Sequence, residues 1–312
     1  MLSEIIDFHC HHVPARFRLT TVENAPPTQK ARWGPTNKLL SDETLLLADI
    51  TSGDLAARVI NCPTAHICDA AGNVPHTTIV AINDELAALQ SRHPGRIYAL
   101  ATVEAYDGDR AARELERAIT KLGLKGVFVE CAKGDRLIDA PEARPTLEVA
   151  ARLGVPVFVH PVNPQPLLGQ MEPYGRIGTL FARGTVNSQA LIALIEGGTF
   201  TQLPSLKVVV TALAFGGLAM AAGFSHFSKL PTGTRDILRH NVFIDTMEFD
   251  PVMIRAAGDI LGESNILTGS DWPIVNDGPI CGKLGRALDD ARLSADAHAL
   301  VSSSNTRRLL RI

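Results

Sequence analysis

The interpretation of this chain starts from Ile5-Ile6-Asp7-Phe8-His9-Cys10-His11-His12. The stretch begins as an apolar β-run, and it places His9 and His11 two residues apart. On an extended strand both imidazoles then project to the same face, so that one strand presents two metal ligands. A His-x-His pair alone is weak evidence, because most histidines are solvated or hydrogen-bonded core residues. The interpretation therefore depends on further ligands at the ends of other strands.

Length and composition favour one domain that acts on a small molecule. The chain has 312 residues, 46% of them hydrophobic, and α/β barrels commonly use this length as a single domain. We therefore expect one domain over residues 1–312. The formal net charge of −3 gives no electrostatic case for nucleic acid or an anionic membrane, since such binders usually carry a basic excess. The expected partner is a small-molecule substrate.

The cysteine pattern indicates a reducing compartment. There are five cysteines, an odd number that does not resemble a disulfide framework, and they form no Cys-x-x-Cys pair. No basic segment followed by an apolar one opens the sequence, and no run approaches the roughly 18 apolar residues of a membrane span. These patterns predict a cytoplasmic protein.

Short apolar runs alternate with helical patterns along the chain, which is typical of βα units and a parallel sheet. There are eight candidate strands, the number that closes a (β/α)8 TIM barrel. They are residues 5–9, 57–62, 97–103, 126–131, 156–160, 207–212, 242–246 and 265–269. Helices are predicted at residues 79–92, 109–122, 141–153, 188–195 and 251–261. The alternative, an open doubly wound sheet, normally carries a glycine-rich turn where this chain has His-Cys-His-His.

Two predicted connections, residues 13–42 and 162–187, are longer than the usual βα loop. Both leave the carboxyl ends of their strands, the face on which barrel enzymes place their sites. Each is either an ordinary ordered excursion or a lid over a pocket. The second connection carries Tyr174, Arg176 and Arg183, and either arginine could clamp a substrate carboxylate.

Two further candidate ligands end other predicted strands. His160 is the last residue of strand five, and Asp271 lies just beyond strand eight. Three imidazoles and one carboxylate suit Zn2+, and Mn2+, Fe2+ or Co2+ could occupy the same site. A metal-bound water would become hydroxide near neutral pH, and Asp271 could accept its proton. Glu130, in strand four, either lines the barrel or pairs with a helix charge.

Three motifs together resemble the amidohydrolase superfamily: DFHCHHVP at residues 7–14, GVPVFVHP at 154–161 and ILTGSDWP at 266–273. Within it, the chain resembles the branch that includes aminocarboxymuconate semialdehyde decarboxylase and related aromatic acid decarboxylases. The resemblance implies a (β/α)8 barrel with one catalytic divalent metal, usually zinc. On matching positions it makes His9, His11, His160 and Asp271 the ligands.

One stretch departs from that branch. Decarboxylating members typically end strand six in Ala-His-Gly-Gly, whereas this chain reads VTALAFGG over residues 210–217 and has no histidine there. Phe215 cannot transfer a proton, which puts the usual protonation route in doubt. We therefore take Phe215, with Tyr174, Arg176 and Arg183, as a candidate substrate-binding residue only.

The missing histidine leads us to expect a metal-dependent hydrolase of a small ester, lactone, amide or carbonyl compound. A metal-bound hydroxide would attack the carbonyl and Asp271 would shuttle the proton. Non-oxidative decarboxylation of a small aromatic or unsaturated acid is the alternative, and a catalytically inactive binding barrel is a third hypothesis. Apolar residues and glycine dominate residues 213–224, so this helix either packs against a partner subunit in a homodimer or lies against its own barrel.

Overall fold

Short runs of Val, Ile and Phe form the parallel strands of the barrel, as expected where both faces of a strand are buried. The computed structural model describes residues 2, 4–25 and 30–312. Its barrel strands are β1 (Ile6–His11), β2 (Ala57–Asn61), β3 (Ile97–Ala99 and Ala101–Thr102), β4 (Val127–Glu130), β5 (Val157–His160), β6 (Val208–Val210), β7 (Val242–Asp245) and β8 (Ile266–Leu267). All eight predicted strands are present, each within a few residues of its expected bounds.

Hydrogen bonds close these strands into one ring. Neighbours in sequence pair in parallel from β1 to β3 and from β3 to β8, and Leu100 interrupts β3 between its two halves. The ring closes where the amide of Phe8 donates to the carbonyl of Thr268 over 2.8 Å. This closure confirms the (β/α)8 barrel and excludes the open doubly wound sheet.

Helices surround the barrel and cover its connections. They are α1 (Thr21–Asn24), α2 (Lys30–Ser41), α3 (Glu43–Ser52), α4 (His76–Arg92), α5 (Asp109–Thr120), α6 (Arg144–Leu153), α7 (Leu167–Met171), α8 (Gly175–Glu196), α9 (Thr199–Gln202), α10 (Phe215–Gly223), α11 (Thr234–Asn241), α12 (Pro251–Leu261), α13 (Ile280–Asp290), α14 (Ala295–Ala299) and α15 (Asn305–Leu310). Among these described helices, none is long and apolar enough to cross a lipid bilayer.

The two long connections are largely helical. The first contains α1 and α2, and its residues 26–29 lie outside the described part of the chain. The second contains α7 and the first half of α8, which begins at Gly175 rather than near residue 188 as predicted. Both connections contribute side chains to the cavity described below.

An irregularity in β1 sets which side chains face the barrel interior. Its pairing with β2 shifts register between Asp7 and Cys10. Phe8 packs inside the barrel against Phe158 at a ring-centroid distance of 5.4 Å, and the next residue, His9, also contacts Phe158 at 4.9 Å. In a regular strand, adjacent residues point to opposite faces. The bulge allows Phe8 and His9 to face the barrel interior together, so that the apolar part of β1 is followed directly by the metal ligands.

Candidate active site

Four side chains from three different strand ends converge at the carboxyl end of the barrel. One donor atom from each of His9, His11, His160 and Asp271 lies within 4.8 Å of the other three. Nε2 of His9 is 3.2 Å from Nε2 of His11, and Oδ1 of Asp271 is 3.4 Å and 3.0 Å from these two nitrogens. These spacings and this donor set fit one divalent metal ion.

Two polar side chains orient the first pair of imidazoles. Nδ1 of His9 donates to Oδ2 of Asp245 over 2.7 Å, and Nδ1 of His11 donates to Oδ1 of Asn61 over the same distance. Each bond places the ring proton on Nδ1 and leaves the lone pair of Nε2 directed at the cluster. Metal-binding histidines commonly have such a partner, which fixes the tautomer and the ring orientation.

Burial keeps two of the imidazoles in the form that binds metal. It lowers the pKa of His160 well below the ordinary range and also lowers the pKa of His11. For His9 burial acts in the same direction, but the carboxylates of Asp245 and Asp271 outweigh it and raise the pKa. A cation at the cluster would replace that proton, because the ligating imidazole must be neutral.

The turn after β8 holds Asp271 in a constrained conformation. Asp271 has a φ of 61°, which is uncommon for a residue other than glycine, and its amide donates to the carbonyl of His9 over 2.9 Å. Ser270 donates its amide and hydroxyl hydrogens to the buried carboxylate of Asp7. Such strained residues persist only where their surroundings determine them, and they cluster at functional sites.

A cavity of about 560 Å³ opens above the cluster. The first long connection contributes Arg32 and Trp33 to its wall, and the loop after β2 contributes His66. Burial lowers the pKa of His66 to about 3, so this ring is neutral. Glu130 also lines the cavity, which decides between the two roles that its strand position allowed.

The candidate substrate-binding residues divide between the cavity and the surface. Arg176 and Arg183 both line the cavity, and Arg176 forms a half-exposed ion pair with Glu248 at 3.0 Å. Arg183 donates to Oδ1 of Asn163, and no described carboxylate lies within 4.0 Å of it. Tyr174 is 65% exposed and does not contribute to the cavity wall.

Phe215 also points away from the metal cluster. It lines a separate apolar groove between α8 and α10 and packs against the outer core. From the same stretch, Thr211 and Leu213 face the cavity instead. This stretch therefore presents no histidine to the cavity, and His226, farther along the chain, is exposed and does not line it.

Comparison with known families identifies this arrangement. The model of the amidohydrolase family matches residues 6–312, which is nearly the whole chain. The chain belongs to the amidohydrolase family. This match confirms the resemblance noted in the three motifs.

Several curated relatives with similar sequences are decarboxylases, and one is a 2-keto-4-carboxy-3-hexenedioate hydratase from Sphingobium, 26% identical over 218 residues that cover 63% of this chain and 59% of that protein. The chain is 26% identical over 205 residues to the 2-amino-3-carboxymuconate-6-semialdehyde decarboxylase of Dictyostelium discoideum, covering 62% of this chain and 55% of that protein. It is 27% identical over 252 residues to the gamma-resorcylate decarboxylase of Rhizobium radiobacter, covering 74% and 75%. The first alignment thus spans little more than half of that relative's length.

A solved structure of similar fold comes from the same group. The dihydroxybenzoic acid decarboxylase of Polaromonas, determined with bound manganese and 2-nitroresorcinol, superposes with a TM-score of 0.82. The two chains are 20% identical, and the match covers 99% of this chain and 97% of that one. At this identity the likeness shows the fold alone.

These comparisons overturn the prediction of a hydrolase. The Dictyostelium and Rhizobium relatives are both decarboxylases by name, so the alternative reading of this metal-dependent enzyme is the better supported one. The prediction failed because it gave the missing strand-six histidine more weight than the resemblance of the rest of the chain. One absent residue does not determine reaction class when other groups in the cavity can take its role.

Sequence reasoning did not find the residues that support the ligands. Asn61 is the last residue of β2 and Asp245 the last of β7, so both are polar side chains that end an apolar strand. That signal singled out His160, and it applies equally to these two. Arg32 and Trp33 gave no comparable signal, since they lie in a long connection whose path the sequence does not specify.

Proposed function

We propose that this chain is a metal-dependent, non-oxidative decarboxylase of a small aromatic or unsaturated carboxylic acid. The observation that carries the proposal is the sequence likeness to decarboxylases over most of the chain. The cavity joins a metal cluster to an arginine that has no carboxylate partner in the described part of the chain, which agrees with an acidic substrate.

His9, His11, His160 and Asp271 are the residues that would hold the ion. When bound, the ion supplies positive charge that polarises substrate oxygens next to the departing carboxylate. Mn2+ and Zn2+ are both candidates, because the donor set accepts either and a neighbour of the same fold was determined with manganese. The metal's identity is part of the proposal.

Arg183 would bind a carboxylate or phenolate oxygen of the substrate. Its side chain is half-buried, so a charge-assisted hydrogen bond there is stronger than one in bulk water. Burial lowers the pKa of Arg183, while the negative charge of Asp271 acts in the opposite direction. A bound anion would compensate this partly desolvated cation.

Decarboxylation moves one electron pair and one proton. The carbon–carbon bond breaks, its electrons remain on the substrate carbon, and carbon dioxide leaves while that carbon gains a proton. Asp271 is our candidate for relaying this proton from solvent to the carbon, since its carboxylate reaches the cavity and the strand-six stretch offers no histidine. The turn of residues 269–271 fixes the direction from which the proton would arrive.

A panel assay tests this function. The purified protein, loaded separately with Mn2+ and Zn2+, is incubated with hydroxybenzoates and unsaturated dicarboxylic acids, and released carbon dioxide is measured. Aryl esters and lactones are assayed in parallel. We expect carbon dioxide from at least one acid and no ester cleavage. Ester or lactone hydrolysis without carbon dioxide release would overturn the proposal.

A further inference from the structure

Glu130 places a carboxyl group inside a cavity that the proposed function fills with an anionic substrate. It is the last residue of β4, its ladder partner is His160, and its side chain lines the cavity. It is not one of the four donors that share the 4.8 Å cluster. An ionised Glu130 would repel a substrate carboxylate bound next to it, and metal binding does not explain the residue. Glu130 therefore needs another chemical role in this cavity.

Glu130 is held by a hydrogen bond and, among the described residues, by no ion pair. The hydroxyl of Thr64 donates to Oε1 over 2.5 Å, which ties β4 to the loop after β2. Among the described residues, no arginine, lysine or histidine nitrogen lies within 4.0 Å of this carboxylate, and no side chain donates to Oε2. Burial raises the pKa of Glu130, and the Thr64 hydroxyl acts in the opposite direction.

The cavity wall therefore carries both a basic and an acidic side chain. Arg183 and Glu130 both line it, and they are not within ion-pair distance of each other. Complementary potentials fix the orientation of a bound molecule and exclude ligands that put like charges together. An acid that matches this cavity has an anionic end and, elsewhere, a group that donates a hydrogen bond.

We infer that Glu130 is a specificity residue that accepts a hydrogen bond from a hydroxyl or amino group of the substrate. The enzyme would then favour hydroxy- or amino-substituted acids over acids that carry a second carboxylate at the same position. The inference rests on the proposed function, because the carboxylate of the substrate is taken to bind at the metal and Arg183.

The test compares ligands that differ at one ring position. Dissociation constants of benzoate, 3-hydroxybenzoate, 3-aminobenzoate and isophthalate are measured by calorimetry with the metal-loaded full chain in mildly alkaline buffer. The 2-substituted series, salicylate, anthranilate and phthalate, covers the neighbouring ring position. In at least one series we expect the hydroxy or amino acid to bind about 10- to 100-fold more tightly than the dicarboxylate.

Two matched variants separate Glu130 from the general charge of the cavity. Glu130→Gln removes the charge but keeps an oxygen that accepts from Thr64, so it should retain the fold and bind the dicarboxylate at least about 10-fold more tightly. Glu172→Gln removes one charge from an exposed position on the same cavity, where solvent screens it. We expect this control to leave the ratios unchanged.

The possible outcomes distinguish the role of Glu130 from the decarboxylase proposal. Equal affinities for the ligands of each series in the unmodified protein would overturn the assignment, and this comparison needs no variant. Affinity ratios that stay the same in Glu130→Gln would also overturn it. Binding does not require turnover. If the ligand preference is found and no acid releases carbon dioxide, the decarboxylase proposal fails while the role of Glu130 stands.

Discussion

Asp245 accepts a 2.7 Å hydrogen bond from Nδ1 of His9 through one carboxylate oxygen. Its other oxygen accepts from the backbone amides of Ala212 and Met247. The carboxylate is therefore fixed by β6 and by the loop after β7 before it orients the imidazole. The lack of a side chain at Gly269 leaves room for this pair, because a Cβ atom there would lie 2.7 Å from Cβ of Asp245 and 2.8 Å from Cβ of His9.

Asp245→Asn should weaken metal binding by about 10- to 100-fold, as expected for loss of a partner that orients a ligand. The amide is a poorer acceptor for the ring hydrogen and no longer makes the imidazole more basic. Metal titration with a chromophoric competitor measures the change. Asp250→Asn is the matched control, since Asp250 caps α12 and Asn caps a helix equally well. Equal metal affinities in the two variants would contradict this assignment.

Asp271→Asn and His160→Ala should each reduce bound metal below one ion per chain and abolish activity. Each removes one donor of the four-donor cluster. Metal content by mass spectrometry and the carbon dioxide assay provide the two readouts. Chelation of the unmodified protein should also stop turnover, and added Mn2+ or Zn2+ should restore it. Full activity in a demonstrably metal-free preparation would refute the proposed role of the cluster.

Gly269→Ala should destabilise the protein by about 1–3 kcal/mol and lower its metal content, because the added methyl group overlaps His9 and Asp245. Gly285→Ala is the control. It lies within α13 with no atom within 4 Å of the added Cβ, so we expect it to be neutral or to stabilise the helix by about 0.5–1 kcal/mol. Urea unfolding at fixed metal concentration compares the two, and equal midpoints would show that the space at Gly269 is unimportant.

Arg183→Met should raise KM for the substrate about 10- to 100-fold, since it removes a charge-assisted hydrogen bond in the cavity. Arg152→Met removes an exposed arginine that pairs with Glu116 on the outside of the barrel, and KM should not change. Steady-state kinetics on the best acid of the panel measure both. An unchanged KM in the Arg183 variant would remove this residue from the binding site.

Stability should fall in acid partly through Glu43, which ties α3 to the end of α4. Its carboxylate accepts from Arg92 and His93, and Arg92 makes the largest contribution to lowering its pKa. A lowered folded-state pKa stabilises the protein above the unfolded value of 4.5, and this contribution is lost as pH falls through the folded value. When melting temperature is measured against pH, its decrease between about pH 5 and 3 should be smaller for Glu43→Gln than for the unmodified protein.

The sequence was sufficient for the barrel and for the four residues that meet in the cluster. Each strand is an apolar run of distinctive length, and a ligand that ends or follows such a strand has its position set by the fold. The residues of the cavity wall were harder to predict from the sequence. Tyr174 and Arg183 lie in the same connection, and only the course of α8 decides which of them faces inward. The direction of Phe215 could not be predicted for the same reason. Helix α10 begins at this residue and directs its ring towards the outer groove.

Oligomeric state is the remaining prediction from the sequence. Ile177 and Phe181 on α8, Met220 on α10 and Phe224 directly after α10 are more than half exposed, and all four line the apolar groove between these helices. A patch of this kind agrees with the homodimer predicted from residues 213–224. Light scattering during gel filtration would test it, and a monomer at micromolar concentration would make that prediction wrong.

The hydrogen bond between Phe8 and Thr268 joins two strands that are far apart in the order of synthesis. The fourth donor is synthesised at least 260 residues after the first two, and it follows the strand that closes the ring. A nascent chain can therefore complete its four-donor cluster only at the end of folding, when the first and last strands meet. An ion held by all four donors then marks a closed barrel, and a fragment that ends before residue 271 lacks the fourth donor.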